Sequence, residues 1–191
     1  MSLAERFAAD FAEHWPIWLV TITLVVAAWI DGVKLKVPNW LTFPMIVSGW
    51  VYSGLFFGWE GIGWSLVGTV VGLALLLPAY AIGGMGAGDV KLLAGVGAWT
   101  GAIDLKVIVY AFCVSAIVGA VLAVLMVLWS GRWRHHLAQL QVIAGEIITI
   151  RDPEALSTIA AERKPRMMLL PYGIPIALGT IGYFAWSGML I

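Results

Sequence analysis

The stretch VIVYAFCVSAIVGAVLAVLMVLW, residues 107–129, carries no charged side chain and no proline. Coiled into a helix at 1.5 Å per residue, it reaches about 35 Å, enough to cross the ~30 Å hydrocarbon core of a bilayer. The same reading extends outward to the runs at 16–30, 39–57, 61–82 and 168–191, with a shorter run at 90–102 between them. The expected fold is therefore an all-α integral membrane protein with about six transmembrane helices. Composition agrees: 61% of the chain is hydrophobic and 12% charged, about half the ~25% charged content of soluble domains. A soluble fold of 191 residues has no core large enough to hide that much apolar surface.

Several function classes fall away at once. The net charge is zero, which leaves no basic field for a nucleic acid. Cys113 is the single cysteine, so neither a disulfide framework nor a cysteine zinc site is expected. The start, MSLAERFAADFAEH, mixes Arg6 with Glu5, Asp10 and Glu13. It lacks the basic n-region of a cleavable signal, and none is expected.

Residues 1–191 read as one membrane-embedded domain with the lipid bilayer as its surroundings. Its one sizeable polar segment is a loop at 130–167, where Trp133, Leu137, Leu140, Ala144 and Ile147 share a helical face; that pattern suits a helix lying along the membrane surface. Leu3, Phe7 and Phe11 suggest a second such helix. With the loop after the first span in the cytoplasm, nine basic residues lie inside: Lys34, Lys36, Lys91, Arg132, Arg134, Arg151, Arg163, Lys164 and Arg166. Only Arg6 and Lys106 remain outside, so both termini are expected outside the cytoplasm. Trp15, Trp40, Trp59 and Trp129 fall near span ends, where tryptophan anchors the interface.

Two acids stand where acids are expensive. Asp31 closes the first apolar run and Asp89 opens the fourth, with two crossings between them. Both therefore lie at the same membrane face, expected to be the cytoplasmic one. An ionisable group at such a boundary is a functional hypothesis by default. Two facing carboxylates share a proton, so that one activates water as a base while the other polarises a carbonyl as an acid. Taken singly, each has a plain alternative. Asp89 suits a helix N-cap, and Asp31 with Lys34 and Lys36 suits a wetted helix end. The pair would also serve a small transporter or ion-coupling protein, and a membrane-embedded assembly factor needs no chemistry at all. His135 and His136 are adjacent in the polar loop with no third ligand in view, so no metal site is expected.

Three segments decide among these readings. Gly86-Ala87-Gly88-Asp89, within GGMGAGDVKLLAGVGAWTG at 83–101, resembles the G-x-G-D motif of intramembrane aspartyl proteases. Its G-x-G-D-x-K context, completed by Lys91, resembles that of the type IV prepilin peptidases. Asp31 followed by Val37-Pro38-Asn39 resembles the first catalytic segment of that family, and Pro171-Tyr172-Gly173, opening PYGIPIALG, is similar to a third signature. The resemblance implies Asp31 and Asp89 as the catalytic pair, with Gly86, Gly88, Lys91, Pro38, Asn39, Pro171, Tyr172 and Gly173 shaping the site. It implies a membrane aspartyl endopeptidase without metal or organic cofactor. Its substrates would be prepilin or pseudopilin proteins, cut after the glycine that ends a short basic leader. Nothing in the sequence corresponds to the paired Cys-x-x-Cys region of longer members, so the expected form is the short, peptidase-only type of Flp or tight-adherence pili, in the bacterial inner membrane.

Local physics adds expectations. Gly86 and Gly88 would admit an extended substrate by close approach or positive φ. The pairs Gly68/Gly72 and Gly97/Gly101 have the small-xxx-small spacing that packs helices. Lys91 either snorkels or tunes Asp89. Asn39 and Thr42 could simply cap the second helix. Pro171 and Pro175 are expected to kink the last helix. Helix dipoles would make Asp89 mainly the carboxylate and Asp31 mainly the acid.

Overall fold

The computed structural model describes residues 3–81, 83–131 and 170–190, with scattered residues between 138 and 159. Among the described residues every regular element is a helix: α1 (Leu3–Lys34), α2 (Asn39–Ala81), α3 (Ala87–Thr100), α4 (Leu105–Trp129) and α5 (Gly173–Trp186). The amphipathic face expected at Trp133, Leu137, Leu140, Ala144 and Ile147 lies outside the described residues.

The N-terminal stretch expected as a separate surface helix is continuous with the first span, through Pro16. From there on α1 buries a stripe at spacings of three and four: Ile17, Val20, Thr21, Leu24, Ala27 and Asp31. Ile22, Val25, Trp29 and Val33 face outward, as an apolar surface in lipid does. The helix passes through Asp31 and stops one turn later at Leu35, whose φ of 51° is left-handed. The Leu35 N–H closes the last turn on the Asp31 carbonyl at 2.8 Å.

α2 is a hairpin. Gly58 has φ 67° and ψ −157°, a combination essentially confined to glycine. The Trp50 indole N–H donates to the Thr69 hydroxyl at 2.9 Å, although nineteen residues of straight helix would separate them by about 28 Å. The arms 39–57 and 59–81 therefore fold back on each other, at the break the sequence suggested. α3 lies against this hairpin at backbone range: a Cβ on Gly97 would stand 2.1 Å from the Gly68 carbonyl oxygen, and one on Gly68 2.2 Å from that of Gly97. Ser53 and Ser65 both donate to the Ala98 carbonyl.

Among the described residues three helices, α2 among them, are long and apolar enough to cross a membrane. α3 and α5 have 14 residues each, about 21 Å, less than the ~30 Å hydrocarbon core. The helix lengths among the described residues therefore do not establish six full crossings. The fourth run starts at Ala87, three residues earlier than expected, and the last spans Gly173–Trp186 instead of 168–191. α3 does not face lipid along any side: from Asp89 to Thr100 every residue except Lys91 is buried.

The two ends of the bundle differ in chemistry. At one end Trp15, Tyr52 and Trp99 meet, with ring centroids 5.5, 5.0 and 6.2 Å apart. Trp15 is thus part of an internal aromatic cluster, whereas Trp40, Trp59 and Trp129 are exposed. Asp31 lies about 24 Å along α1 from Trp15, and Asp89 about 15 Å along α3 from Trp99. The acids therefore share the opposite end.

Candidate active site

Asp31 is carried into the bundle by the buried stripe of α1 and is 2% exposed. Its Oδ2 accepts the N–H of Gly173, the first residue of α5, at 2.8 Å. The contact depends on glycine: a Cβ at 173 would lie 3.0 Å from both Cβ and Oδ2 of Asp31. Pro171 and Pro175 flank this point at the start of α5, where a missing N–H breaks no helical bond, so they do not kink the helix as expected. The Pro171 carbonyl accepts the Ile174 N–H at 3.1 Å.

Asp89 is 6% exposed and occupies the third position of α3, not its cap. The cap is Gly86, extended at φ −86° and ψ 152°. Asp89 Oδ2 reaches back to accept the Gly86 N–H at 3.0 Å, the carboxylate half of a capping box. Neither Gly86 nor Gly88 has positive φ, so the expected conformational use is replaced by one of space. A Cβ on Gly88 would stand 2.5 Å from the Val37 carbonyl oxygen, which lets the α1–α2 linker lie directly on the α3 N-terminus.

That linker supplies the rest of the near wall. The Pro38 carbonyl accepts the N–H groups of Leu41 and Thr42 at 3.1 and 3.3 Å, starting α2. Asn39 Oδ1 accepts from Lys91 Nζ at 3.0 Å, and the same ammonium sits 4.8 Å from the centroid of the Phe43 ring. Lys91 thus latches α3 to the first turn of α2, a use that neither sequence reading, snorkelling or tuning Asp89, included. A cavity of about 340 Å³ is lined by Leu35, Lys36, Val37, Asn39, Lys91 and the segment from Gly86 to Asp89.

Asp31, Pro171, Tyr172 and Gly173 are not among the walls of that cavity. Gly173 fastens Asp31 to the start of α5, and the half-buried Tyr172 just before it packs on α4. Sequence reasoning missed how the site is fastened, because two of the fasteners, the Gly173 N–H and the Val37 carbonyl, are backbone groups without a side-chain signature. It also missed Gly119 in α4, against which the Tyr172 hydroxyl packs.

The helix-end asymmetry expected between the acids is absent. Asp31 sits in the last turn of α1 yet also at the N-terminus of α5, as Asp89 does at that of α3. Each carboxylate therefore has a backbone N–H at a positive helix end, which removes the dipole argument for assigning the proton to Asp31. No cluster of three or more His, Cys, Asp or Glu able to hold a metal occurs among the described residues.

Comparison with known proteins gives this geometry a lineage. The chain is 32% identical over 117 residues to the prepilin leader peptidase/N-methyltransferase of Aeromonas salmonicida, covering 58% of this chain and 39% of that protein. It is 33% identical over 121 residues to the protein of that name from Neisseria gonorrhoeae, covering 60% and 41%. With the one from Stutzerimonas stutzeri the identity is 35% over 117 residues, covering 56% and 38%. The match thus spans about two fifths of the length of these relatives. No solved structure matches significantly. The family model described as the type IV leader peptidase family matches residues 18–124, which hold both Asp31 and Asp89. Because that match covers more than half of the 191 residues, the chain belongs to the type IV leader peptidase family.

Proposed function

We propose that the protein is a membrane aspartyl endopeptidase that removes the leader from type IV prepilin-like proteins of the Flp type. It acts at the cytoplasmic face of the bacterial inner membrane, with six helical arms embedded. The observation that carries the reading is the placement of two buried carboxylates from distant parts of the chain at one end of the bundle, each held by a backbone N–H at the start of a helix. Family membership and the names of the relatives give the substrate class.

In this mechanism one carboxylate takes a proton from water, and the resulting hydroxide attacks the scissile carbonyl carbon. The other, protonated, donates a hydrogen bond to the carbonyl oxygen as it gains charge. Collapse of the tetrahedral species breaks the C–N bond, and the amine leaves with the proton the base had taken. The cavity beside Asp89, open between the linker and the α3 N-terminus, is where an extended leader would lie. Both acids sit at an end of the bundle and not at its middle, which argues against an ion-coupling site of the midplane type.

The test uses purified protein in detergent with a prepilin from the same genome. Asp31→Asn and Asp89→Asn should each abolish cleavage while leaving the protein folded and monodisperse. Cleavage at the normal rate by either variant would falsify the aspartyl mechanism.

A further inference from the structure

α4 contributes no acid, no motif and no lining residue to the site, yet it touches Tyr172, the neighbour of the Gly173 N–H that holds Asp31. A Cβ on Gly119 would lie 3.2 Å from the Tyr172 hydroxyl oxygen, 3.3 Å from its Cζ and 3.4 Å from Cβ of Pro175. Gly119 is buried, and the neighbours that would have to yield are a ring and a proline at the start of α5. One turn further along α5 the fit is tighter still. A Cβ on Gly179 would stand 2.3 Å from the Ser115 Cα, and Ser115 Oγ donates to the Ile176 carbonyl at 3.3 Å. α5 is therefore pinned to α4 at Ser115 and cannot slide away from a pressure applied at Gly119.

From this arrangement we infer that Gly119 is a positioning residue for catalysis: it is the seat of Tyr172 and thereby sets where the Gly173 N–H meets Asp31. The chain of contacts is short. Gly119 receives the Tyr172 ring, and the N–H of the next residue donates to Asp31 at 2.8 Å. A methyl group at 119 leaves the ring a few tenths of an ångström too little room. With Ser115 holding α5, the displacement falls on the 172–173 peptide and so on the Asp31 carboxylate that its N–H holds. The inference rests on the proteolytic reading, because the consequence it names is a catalytic one.

The experiment is a cycle of Gly119→Ala and Tyr172→Phe, assayed by cleavage of a purified prepilin. Misplacement of reacting groups by about 1 Å costs on the order of 10²-fold, so the smaller shift in Gly119→Ala should lose about tenfold in kcat with KM for the prepilin unchanged. In the Tyr172→Phe background, where the oxygen nearest the new methyl is gone, the same substitution should cost less than about threefold, the mark of a direct coupling. The pH–rate profile of Gly119→Ala should also be displaced, because the hydrogen bond to one of the two titrating acids has changed. Gly182→Ala on α5, where an added Cβ meets nothing within 4 Å, serves as the unaffected control. An equal loss in both backgrounds, or a loss that tracks melting temperature with an unchanged pH profile, overturns the positioning role, as does full activity of Gly119→Ala. Cleavage by Asp31→Asn would instead overturn the proteolytic reading itself, so the two failures are distinguishable.

Discussion

A carboxylate withdrawn from water needs its hydration replaced, and here the replacement is backbone. Asp31 and Asp89 each accept an N–H at the start of a helix, a donor that no substitution short of proline removes directly. Glycine protects that arrangement at Gly173, where a Cβ would press on the Asp31 carboxylate at 3.0 Å. Gly173→Ala should therefore reduce kcat for leader cleavage by about 10- to 100-fold, the usual range for a displaced catalytic group, while the protein still purifies as a folded species; unchanged kcat would show that the Gly173 contact is dispensable. Leu35 is strained for the opposite reason, a branched residue at φ 51°. Leu35→Gly should raise stability by about 1 kcal/mol, read as a higher midpoint of thermal unfolding in detergent. The acids themselves were legible in the sequence because so few charges interrupt its apolar runs. Their partners were not, since an amide N–H belongs to every residue alike.

Among the elements, the glycine pairs read in the sequence as packing devices have that use. Gly68 and Gly97 bring the second arm of α2 and α3 together at backbone contact, and Gly101 meets the Trp64 carbonyl. Gly97→Ala places a methyl 2.1 Å from the Gly68 carbonyl oxygen, and should cost at least the 1–3 kcal/mol typical of overpacking, about the stability change a melting curve resolves well. Gly63→Ala, on the same arm with nothing within 4 Å, should be near neutral; equal effects would mean the crossing is not held by close approach. The break between 57 and 61 was legible as a gap between two apolar runs. What the pattern did not give is the geometry that lets one glycine, Gly58, reverse the chain inside a single hydrogen-bonded hairpin. Nor did hydropathy fix the starts of α3 and α5. Those are set by polar contacts, the Asp89 reach to Gly86 and the Pro171 carbonyl to Ile174, to which an apolar window is blind.

For the molecule as a whole, the positive-inside distribution predicts that the end holding the two acids faces the cytoplasm. A reporter active only outside the cytoplasm should work when fused at Ile191 and fail when fused at Arg151. The reverse pattern would put the acids at the face away from the leader. Within that arrangement α3 differs from its neighbours in having no surface to spare: protein surrounds it from Asp89 to Thr100, with Lys91 alone reaching out, whereas only 17% of the most apolar stretch of α4 is covered. The consequence is one of evolutionary freedom. Along α4 many positions can exchange one apolar residue for another without touching a neighbour, so its sequence can drift as lipid composition or host changes. From Asp89 to Thr100 each exchange of a buried residue has to be answered by a compensating change in α1, α2, α4 or α5, and in a saturation mutagenesis read out by leader cleavage that stretch of α3 should stand out as a block in which almost nothing is allowed to vary alone.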